Sequence, residues 1–139
     1  MHLKVACGAA ALVCTFATIT HAAEKVSFKL ITIEQNIIDQ TNAERAKHGL
    51  PALVMDTSLM RSARAHTTWM TKSNTLQHTS APVAENIAMG QRSTREAVQS
   101  WMNSPGHRAN ILNRSYRRIG VAAYTAPNGT AYWCQQFLW

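Results

Sequence analysis

Cysteine is scarce in this chain of 139 residues, which contains only Cys7, Cys14 and Cys134. Cys7 and Cys14 lie in an N-terminal segment that we expect to be removed, so Cys134 alone would remain in the mature chain. The mature form is therefore expected to have no intrachain disulfide, although exported proteins of this size often use them. Cys134 lies in an apolar, strand-like run, which favours a buried small hydrophobic side chain over a catalytic thiol.

Long apolar runs are also lacking. The run over residues 5–19 is too short and too rich in Ala and Thr to span a bilayer well. Lys4 before it and the small residues after it are typical of a secretory signal peptide, cleaved after Ala22 or Ala23. The expected location is extracellular or periplasmic, with no membrane span after cleavage. We predict three segments: a signal peptide over residues 1–22, an N-terminal arm over 23–32 and one folded domain over 33–139.

Acidic residues are few, 7 against 14 Lys and Arg, which gives a formal net charge of +7. A basic exported protein is attracted to anionic surfaces such as cell-wall polymers and acidic lipids. Most of the basic residues are spread along the chain, however, and only Arg114, Arg117 and Arg118 cluster, which favours an ordinary solubilising charge. No nucleic-acid-binding motif is present, so no nucleic-acid partner is predicted.

Helices are predicted over the first two thirds of the chain. The first begins at a capping box of Thr32 and Gln35 and ends at Gly49. Asp56 caps the second, which carries His66 on its inner face as a core residue or a support for a nearby site. Residues 75–92 show little periodicity apart from a short turn at ENIAMG.

Further helix starts and two strands follow. Ser93 and Glu96 form the capping box of a third helix, and Ser104 caps a short fourth one with proline at its first position. RIGVAAYTA and TAYWCQQFLW read as strands joined at Asn128-Gly129, a strong hairpin signal, and the second strand is long enough for a central position. The pattern predicts an α+β fold in which helices cover a sheet and an antiparallel hairpin comes last.

Two histidines and a carboxylate stand out as candidates for chemistry. His78 and Glu85 lie in HTSAPVAENIAMG, and His107 lies in SPGHRANIL. Two imidazoles and a carboxylate suit zinc or another divalent cation with one position left for water. They suit proton transfer equally well, because histidine titrates near pH ~6.5.

Structural roles explain the same residues without any chemistry. His107 would be the third residue of its helix, where its ring bonds a nearby carbonyl, while Glu85 and Asn86 would bond the backbone of an irregular loop. A Ser-His-Glu triad built on Ser104 and His107 is disfavoured, because the closeness of these two residues follows from their spacing at a helix start and no G-x-S-x-G elbow is present.

Several motifs, in order, give the chain a resemblance to a known family. N-A-E-R-A-K-H-G-L-P-A-L is similar to the opening helix of the CAP superfamily (cysteine-rich secretory proteins, antigen 5 and pathogenesis-related 1; also called the SCP domain). A-E-N-I-A resembles its G-E-N-I element, with Ala84 in place of the usual glycine. W-M-N-S-P-G-H-R-A-N-I-L, R-R-I-G-V-A and Y-W-C-Q-Q-F resemble the rest of small bacterial members. The resemblance covers roughly residues 33–138 and implies a three-layer α-β-α sandwich.

The resemblance also implies a cleft with two histidines and two acidic residues. His78, Glu85 and His107 match three of these positions, while Ser104 stands where the second glutamate is usual. The set is therefore incomplete, and we expect weaker zinc binding than with four members. Glu96 is the nearest other glutamate, and it reads better as a capping residue; Asn86 reads as a support for the loop.

Function is not determined by such a fold. The leading hypothesis is a secreted binding module whose cleft holds a divalent metal and a small apolar, lipid, sterol or cell-envelope ligand. The alternative is a metal-dependent hydrolase that acts on peptides or envelope material, with Glu85 as ligand or general base. A third interpretation is an interaction protein in which these residues only brace loops.

Overall fold

The computed structural model describes residues 28–139, so the predicted signal peptide and residues 23–27 of the predicted arm lie outside the described residues. Four helices and four strands follow one another along the chain. Their order is α1 (Thr32–Lys47), β1 (Val54–Met55), α2 (Thr57–Ser73), β2 (Ala84–Met89), α3 (Thr94–Met102), α4 (Pro105–Ile111), β3 (Arg118–Thr125) and β4 (Ala131–Leu138).

The four strands form one mixed sheet in the order β1-β3-β4-β2. β3 and β4 are the predicted antiparallel hairpin, and their turn has Gly129 at a φ of 84°. β4 is central, with every side chain from Tyr132 to Phe137 buried, as its length predicted. The short β1 adds a parallel edge to β3 that the sequence pattern did not distinguish from an extended piece of chain.

β2 forms the other edge of the sheet, and here the sequence-based prediction was wrong. The segment expected to be a short turn pairs with β4 over six residues, from Ala84 opposite Phe137 to Met89 opposite Tyr132. Its pattern hides the strand because two of its four buried residues, Glu85 and Asn86, are polar. Burial of polar residues removes the alternation by which a strand is ordinarily recognised.

Helices cover both faces of the sheet, which confirms the predicted α+β sandwich. On one face, Ala63 and Met70 of α2 pack with Ile87, Ala122 and Cys134 of the sheet. The larger cluster joins the other helices to alternate strand positions, since neighbouring strand residues face opposite ways. It contains, among others, Ile37, Ile38, Val98, Trp101, Ile111, Ile119, Val121, Trp133 and Phe137.

Close packing of α2 on β3 depends on Gly120. A Cβ atom at this position would lie 2.2 Å from the backbone carbonyl carbon of Leu59, a distance that real Cβ contacts do not show. Glycine is therefore needed for the close approach of α2 to β3. This contact also sets the distance of α2 from the sheet at the site described below.

The start of α1 differs from the prediction by one residue. Thr32 is the first helical residue rather than the cap, and Ile31 occupies the cap position without a side-chain acceptor. The Glu34 side chain accepts from Ile31 N–H at 3.1 Å and pairs with the Arg64 guanidinium of α2. Gln35, expected in the capping box, instead donates to Asp39 at 2.8 Å. The buried Glu34 therefore supports the first turn of the helix and also joins it to α2.

Arg45 shows how α1 positions the distant α4. Its guanidinium is buried and donates to Ile111 O at 2.7 Å and to Asn113 O at 2.9 Å, at the end of α4. Burial, and then the positive charge of Arg117, lower its pKa from the ordinary value. Within residues 28–139, no helix is both long and apolar enough to cross a membrane.

Candidate functional site

Glu85 is the organising residue of the candidate site. It lies on the edge strand β2, and only 3% of its side chain is exposed. Oε1 accepts from Thr79 N–H and faces His78 Nδ1, both at 2.9 Å. Oε2 accepts from Gln136 Nε2 at 2.9 Å. Oε1 therefore holds the loop after α2, while Oε2 is fixed by the neighbouring strand β4.

His78 is presented outward by this contact. A carboxylate can only accept hydrogen bonds, so His78 Nδ1 carries a proton in this contact, and Nε2 is the ring nitrogen that Glu85 does not contact. The side chain is 59% exposed, and the Nε2 edge is free to meet a ligand. Sequence reasoning placed His78 on one side of a cleft, and the structure shows how the side chain is oriented there.

His66 supports the same loop from α2. Its Nε2 donates to Gln77 O at 2.8 Å, because a carbonyl can only accept, and lies 3.8 Å from Glu85 Oε2. The ring stacks on Trp69 with a centroid distance of 5.7 Å. This placement agrees with the expectation of a supporting residue rather than a metal ligand.

His107 approaches from the opposite side as the third residue of α4, as the pattern predicted. Burial, and then the positive charge of His78, lower the pKa of the half-buried His107 below its ordinary value. His107 is therefore neutral at neutral pH and has a lone pair to offer.

Asn86 fixes α4 against the sheet. Its Nδ2 donates to His107 O at 3.0 Å and to Gln135 Oε1 at 3.2 Å, and its Oδ1 accepts from Asn110 Nδ2 at 2.9 Å. Gln135 Nε2 in turn donates to Thr41 Oγ1 at 2.6 Å, which connects α1. Each side-chain amide in this hydrogen-bond network has a partner, as a buried polar network requires.

Side chains of α3 and α4 cover the unpaired edge of β2. Asn110 Nδ2 donates to Glu85 O at 3.3 Å, and the buried Trp101 indole donates to Ile87 O at 3.1 Å. Side chains thus take the carbonyls that an edge strand would otherwise offer to another chain. The W…H-R-A-N pattern has this structural use besides supplying His107.

The two remaining predicted supports act elsewhere. Glu96 Oε2 accepts from Arg92 N–H at 2.8 Å, and Ser93 Oγ accepts from Glu96 N–H at 3.2 Å, so Glu96 braces the start of α3 as the capping pattern indicated. Ser104 occupies the cap position of α4, but its side chain makes no capping hydrogen bond. It contributes its carbonyl, which accepts from Arg108 N–H at 2.8 Å.

A three-ligand metal site of His78, Glu85 and His107 does not fit this arrangement. Within residues 28–139, no group of three or more His, Cys, Asp or Glu side chains is arranged to hold a metal ion. The lone pairs of Glu85 are committed to its hydrogen-bond donors. Glu85 instead contacts His78 Nδ1, as a carboxylate that supports a histidine does.

Sequence reasoning missed two residues beneath Glu85. Cys134 was correctly predicted to be a buried side chain, but its Sγ lies 3.6 Å from Glu85 Oε2. Burial, and then the charge of Glu85, raise the pKa of this thiol well above its ordinary value, so it is a donor and not a thiolate ligand. Gln136 is fully buried beside it, and its Oε1 has no hydrogen-bond partner among the described residues. Cys134 and Gln136 are alternate residues of β4, the strand that pairs with β2. Only the register of this pairing could have shown that they lie beside Glu85.

Comparisons with known proteins agree with this architecture. The family model described as "Cysteine-rich secretory protein family" (CAP) matches residues 38–137. The uncharacterized protein YkwD of Bacillus subtilis is 37% identical over 138 residues, covering 87% of this chain and 51% of that protein. The chain thus spans about half the length of this curated relative.

Solved structures give the same answer. An extracellular protein of Bacillus anthracis that contains an SCP domain has a TM-score of 0.68 at 30% identity, covering 76% of this chain and 39% of that one. An outer surface protein of Borrelia burgdorferi has a TM-score of 0.69 at 19% identity, covering 77% and 94%; at that identity the likeness concerns the fold alone. The chain belongs to the cysteine-rich secretory protein (CAP) family.

Proposed function

We propose that this protein is a secreted binding module whose cleft lies between the His78 loop and the start of α4. In this proposal, His78 and His107 hold a divalent metal ion, zinc by preference, and the cleft takes a ligand from the cell envelope. The observation that carries it is the 2.9 Å contact of His78 Nδ1 with the buried Glu85, which leaves Nε2 of His78 for a ligand.

The chemistry of the pair supports the metal. Neutral imidazole nitrogen is a good ligand for zinc, and a metal-bound histidine ordinarily donates its other N–H to a carboxylate or carbonyl. Glu85 already provides this partner for His78. The bound ion would polarise a carbonyl or hydroxyl oxygen of the ligand, and the two imidazoles would hold it at the mouth of the cleft.

Secretion is proposed on two grounds. Residues 1–22 have the pattern of a signal peptide. The Bacillus anthracis relative of known structure is described as extracellular. Expression of the full chain in a bacterial host, followed by mass measurement of the exported form, should give a protein that begins at residue 23 or 24.

A metal-dependent hydrolase is the second candidate, and one observation favours it. A histidine whose Nδ1–H is held by a carboxylate while Nε2 is exposed has the geometry of a general base. The two candidates share the residues and differ in turnover. Hydrolysis of a peptide or envelope polymer that is lost on chelation and in a His78→Ala variant would favour the hydrolase over the binding module.

The test of the proposal is a calorimetric titration of the purified protein with zinc, next to a His78→Ala/His107→Ala double variant. We expect one-to-one binding by the wild type and none by the double variant. Glu96→Gln serves as the matched control, because Glu96 lies at the start of α3 and braces only that helix. Absent binding by the wild type, or equal binding by the double variant, would contradict the metal.

A further inference from the structure

An open groove lies beside the His78 loop, on the side of α2. It has a volume of about 290 Å³ and is lined by His66, Trp69, Gln77, His78, Thr79 and Ser80. This is near the lower end of the range for small-molecule sites, about 300–1,000 Å³. The groove has room for one part of a longer ligand rather than for the whole of it.

Trp69 gives the groove an aromatic wall. Its side chain is 45% exposed, although a large aromatic residue on a helix would ordinarily turn to the core. The indole lies nearly parallel to the His66 ring, with an interplanar angle of 12° and a centroid distance of 5.7 Å. Because His66 is anchored to Gln77 O, the indole is held in orientation before any ligand arrives.

The other walls are polar and carry no formal charge when the imidazoles are neutral. Gln77, Thr79 and Ser80 offer an amide and two hydroxyl groups, and among residues 28–139 no Lys, Arg, Asp or Glu lines the groove. The contact of Thr79 N–H with Glu85 keeps this loop in place. A polyanion would find no basic partner here, and a lipid chain would find no enclosed apolar cavity.

We propose that this groove is a saccharide subsite. A pyranose ring has one face of C–H groups and a rim of hydroxyl or acetamido groups. The C–H face is attracted to the electron-rich face of the exposed indole of Trp69. The rim groups exchange hydrogen bonds with Gln77, Thr79 and Ser80. The inference rests on the proposed function in that it names the chemical class of the envelope ligand, and the His78 imidazole borders both groove and cleft.

The test is a titration of the purified protein with two probes, the tetramer of N-acetylglucosamine and the β-1,4-linked tetramer of glucose, followed by backbone amide NMR. We expect one or both to bind, with the largest shifts at residues 69 and 77–80. Trp69→Ala should weaken binding at least about tenfold, as for a central aromatic contact, while Trp69→Phe keeps most of it. Gln77→Ala should weaken binding less, because the carbonyl that His66 uses remains.

Trp139→Ala is the matched control. Trp139 is 72% exposed and lies beside Arg118, outside the groove, so its removal should leave saccharide binding unchanged. The subsite is overturned if neither probe binds the wild type, or if Trp69→Ala binds as well as the wild type while its circular dichroism spectrum is unchanged.

Two crossed titrations separate this inference from the proposed function. Zinc binding by the wild type without any saccharide binding overturns the subsite alone. Saccharide binding that depends on Trp69, with no zinc binding by the wild type, overturns the metal alone and keeps the subsite. Trp69→Ala should still bind zinc, and His107→Ala should still bind saccharide.

Discussion

Glu85 and Asn86 are neighbours on β2, yet their side chains point to opposite faces of the sheet and support different segments. Glu85 faces α2 and holds an exposed loop through Thr79 and His78. Asn86 faces the other layer and holds α4 through His107 O and Asn110. Because successive strand residues point to opposite faces, one dipeptide on an edge strand contacts two histidine-bearing segments from two layers of the fold.

The two halves differ in how much structure depends on them. The Asn86 half is a buried amide network that reaches from α1 to α4 through Gln135 and Thr41. The Glu85 half ends at the surface, where His78 is largely exposed. We therefore expect changes at Asn86 to act mainly on stability, and changes at Glu85 to act mainly on the presentation of His78.

The largest effect is expected from Asn86→Ala. The change leaves Gln135 Oε1 without its partner and removes one hydrogen bond each from His107 O and Asn110 Nδ2, and we expect a loss of about 3 kcal/mol in the free energy of unfolding. Urea denaturation followed by circular dichroism measures it. Asn36→Ala, at an exposed position of α1, is the control and should cost nothing. A loss below about 1 kcal/mol would refute the importance of the network.

Glu85→Gln tests the other half and should have the next largest effect on stability. The amide can accept from Thr79 N–H, but its NH₂ group then faces the donor Gln136 Nε2, so about 1–3 kcal/mol should be lost. His78 loses its carboxylate partner, and zinc affinity should fall about tenfold or more. Denaturation and calorimetry measure the two effects, and unaltered zinc affinity would contradict the orienting role.

Ser104→Glu sharpens the comparison from the side of α4. It restores a carboxylate at the position where the family pattern has a glutamate, and an added carboxylate ligand should strengthen zinc binding about tenfold. Calorimetry compares it with Ser104→Gln, which has the same length without the charge. Equal affinities of the two variants would show that position 104 does not reach the metal.

The smallest effect concerns pH. Because the fold lowers the pKa of His107, the unfolded chain binds the proton more readily, so stability is intact above about pH 6.5 and falls as the pH drops through the lowered folded-state pKa. His107→Gln should flatten this part of the curve. Urea midpoints of both proteins between about pH 7 and 4.5 would test it, and parallel curves would count against the assignment.

Much of the fold could be predicted because its signals are local. Capping residues such as Asp56 and Ser93, the Asn128-Gly129 turn and the apolar run of β4 each act on near neighbours in sequence. The motif resemblance supplied the layers. The predicted start of α1 was off by one residue because Glu34, which pairs with the distant Arg64, accepts from Ile31 N–H.

The candidate site residues could be identified from the sequence, but their arrangement in space could not be predicted. His78, Glu85 and His107 were identified by residue type and resemblance, but the burial of Glu85 and its bond to Gln136 depend on the pairing of β2 with β4. That pairing joins residues 51 positions apart. For the same reason the sequence suggested Glu85 as a metal ligand, whereas its oxygens are committed to the protein.

Imidazole ¹⁵N NMR of the protein during a zinc titration is the measurement to make first. We expect the ring nitrogens of His78 and His107 to shift together at one equivalent, with the metal on Nε2 of His78, and we expect His66 to take no part. A shift of only one of the two rings, or of His66 in place of His107, would contradict the claim that Glu85 and Asn86 bring two histidines into one site.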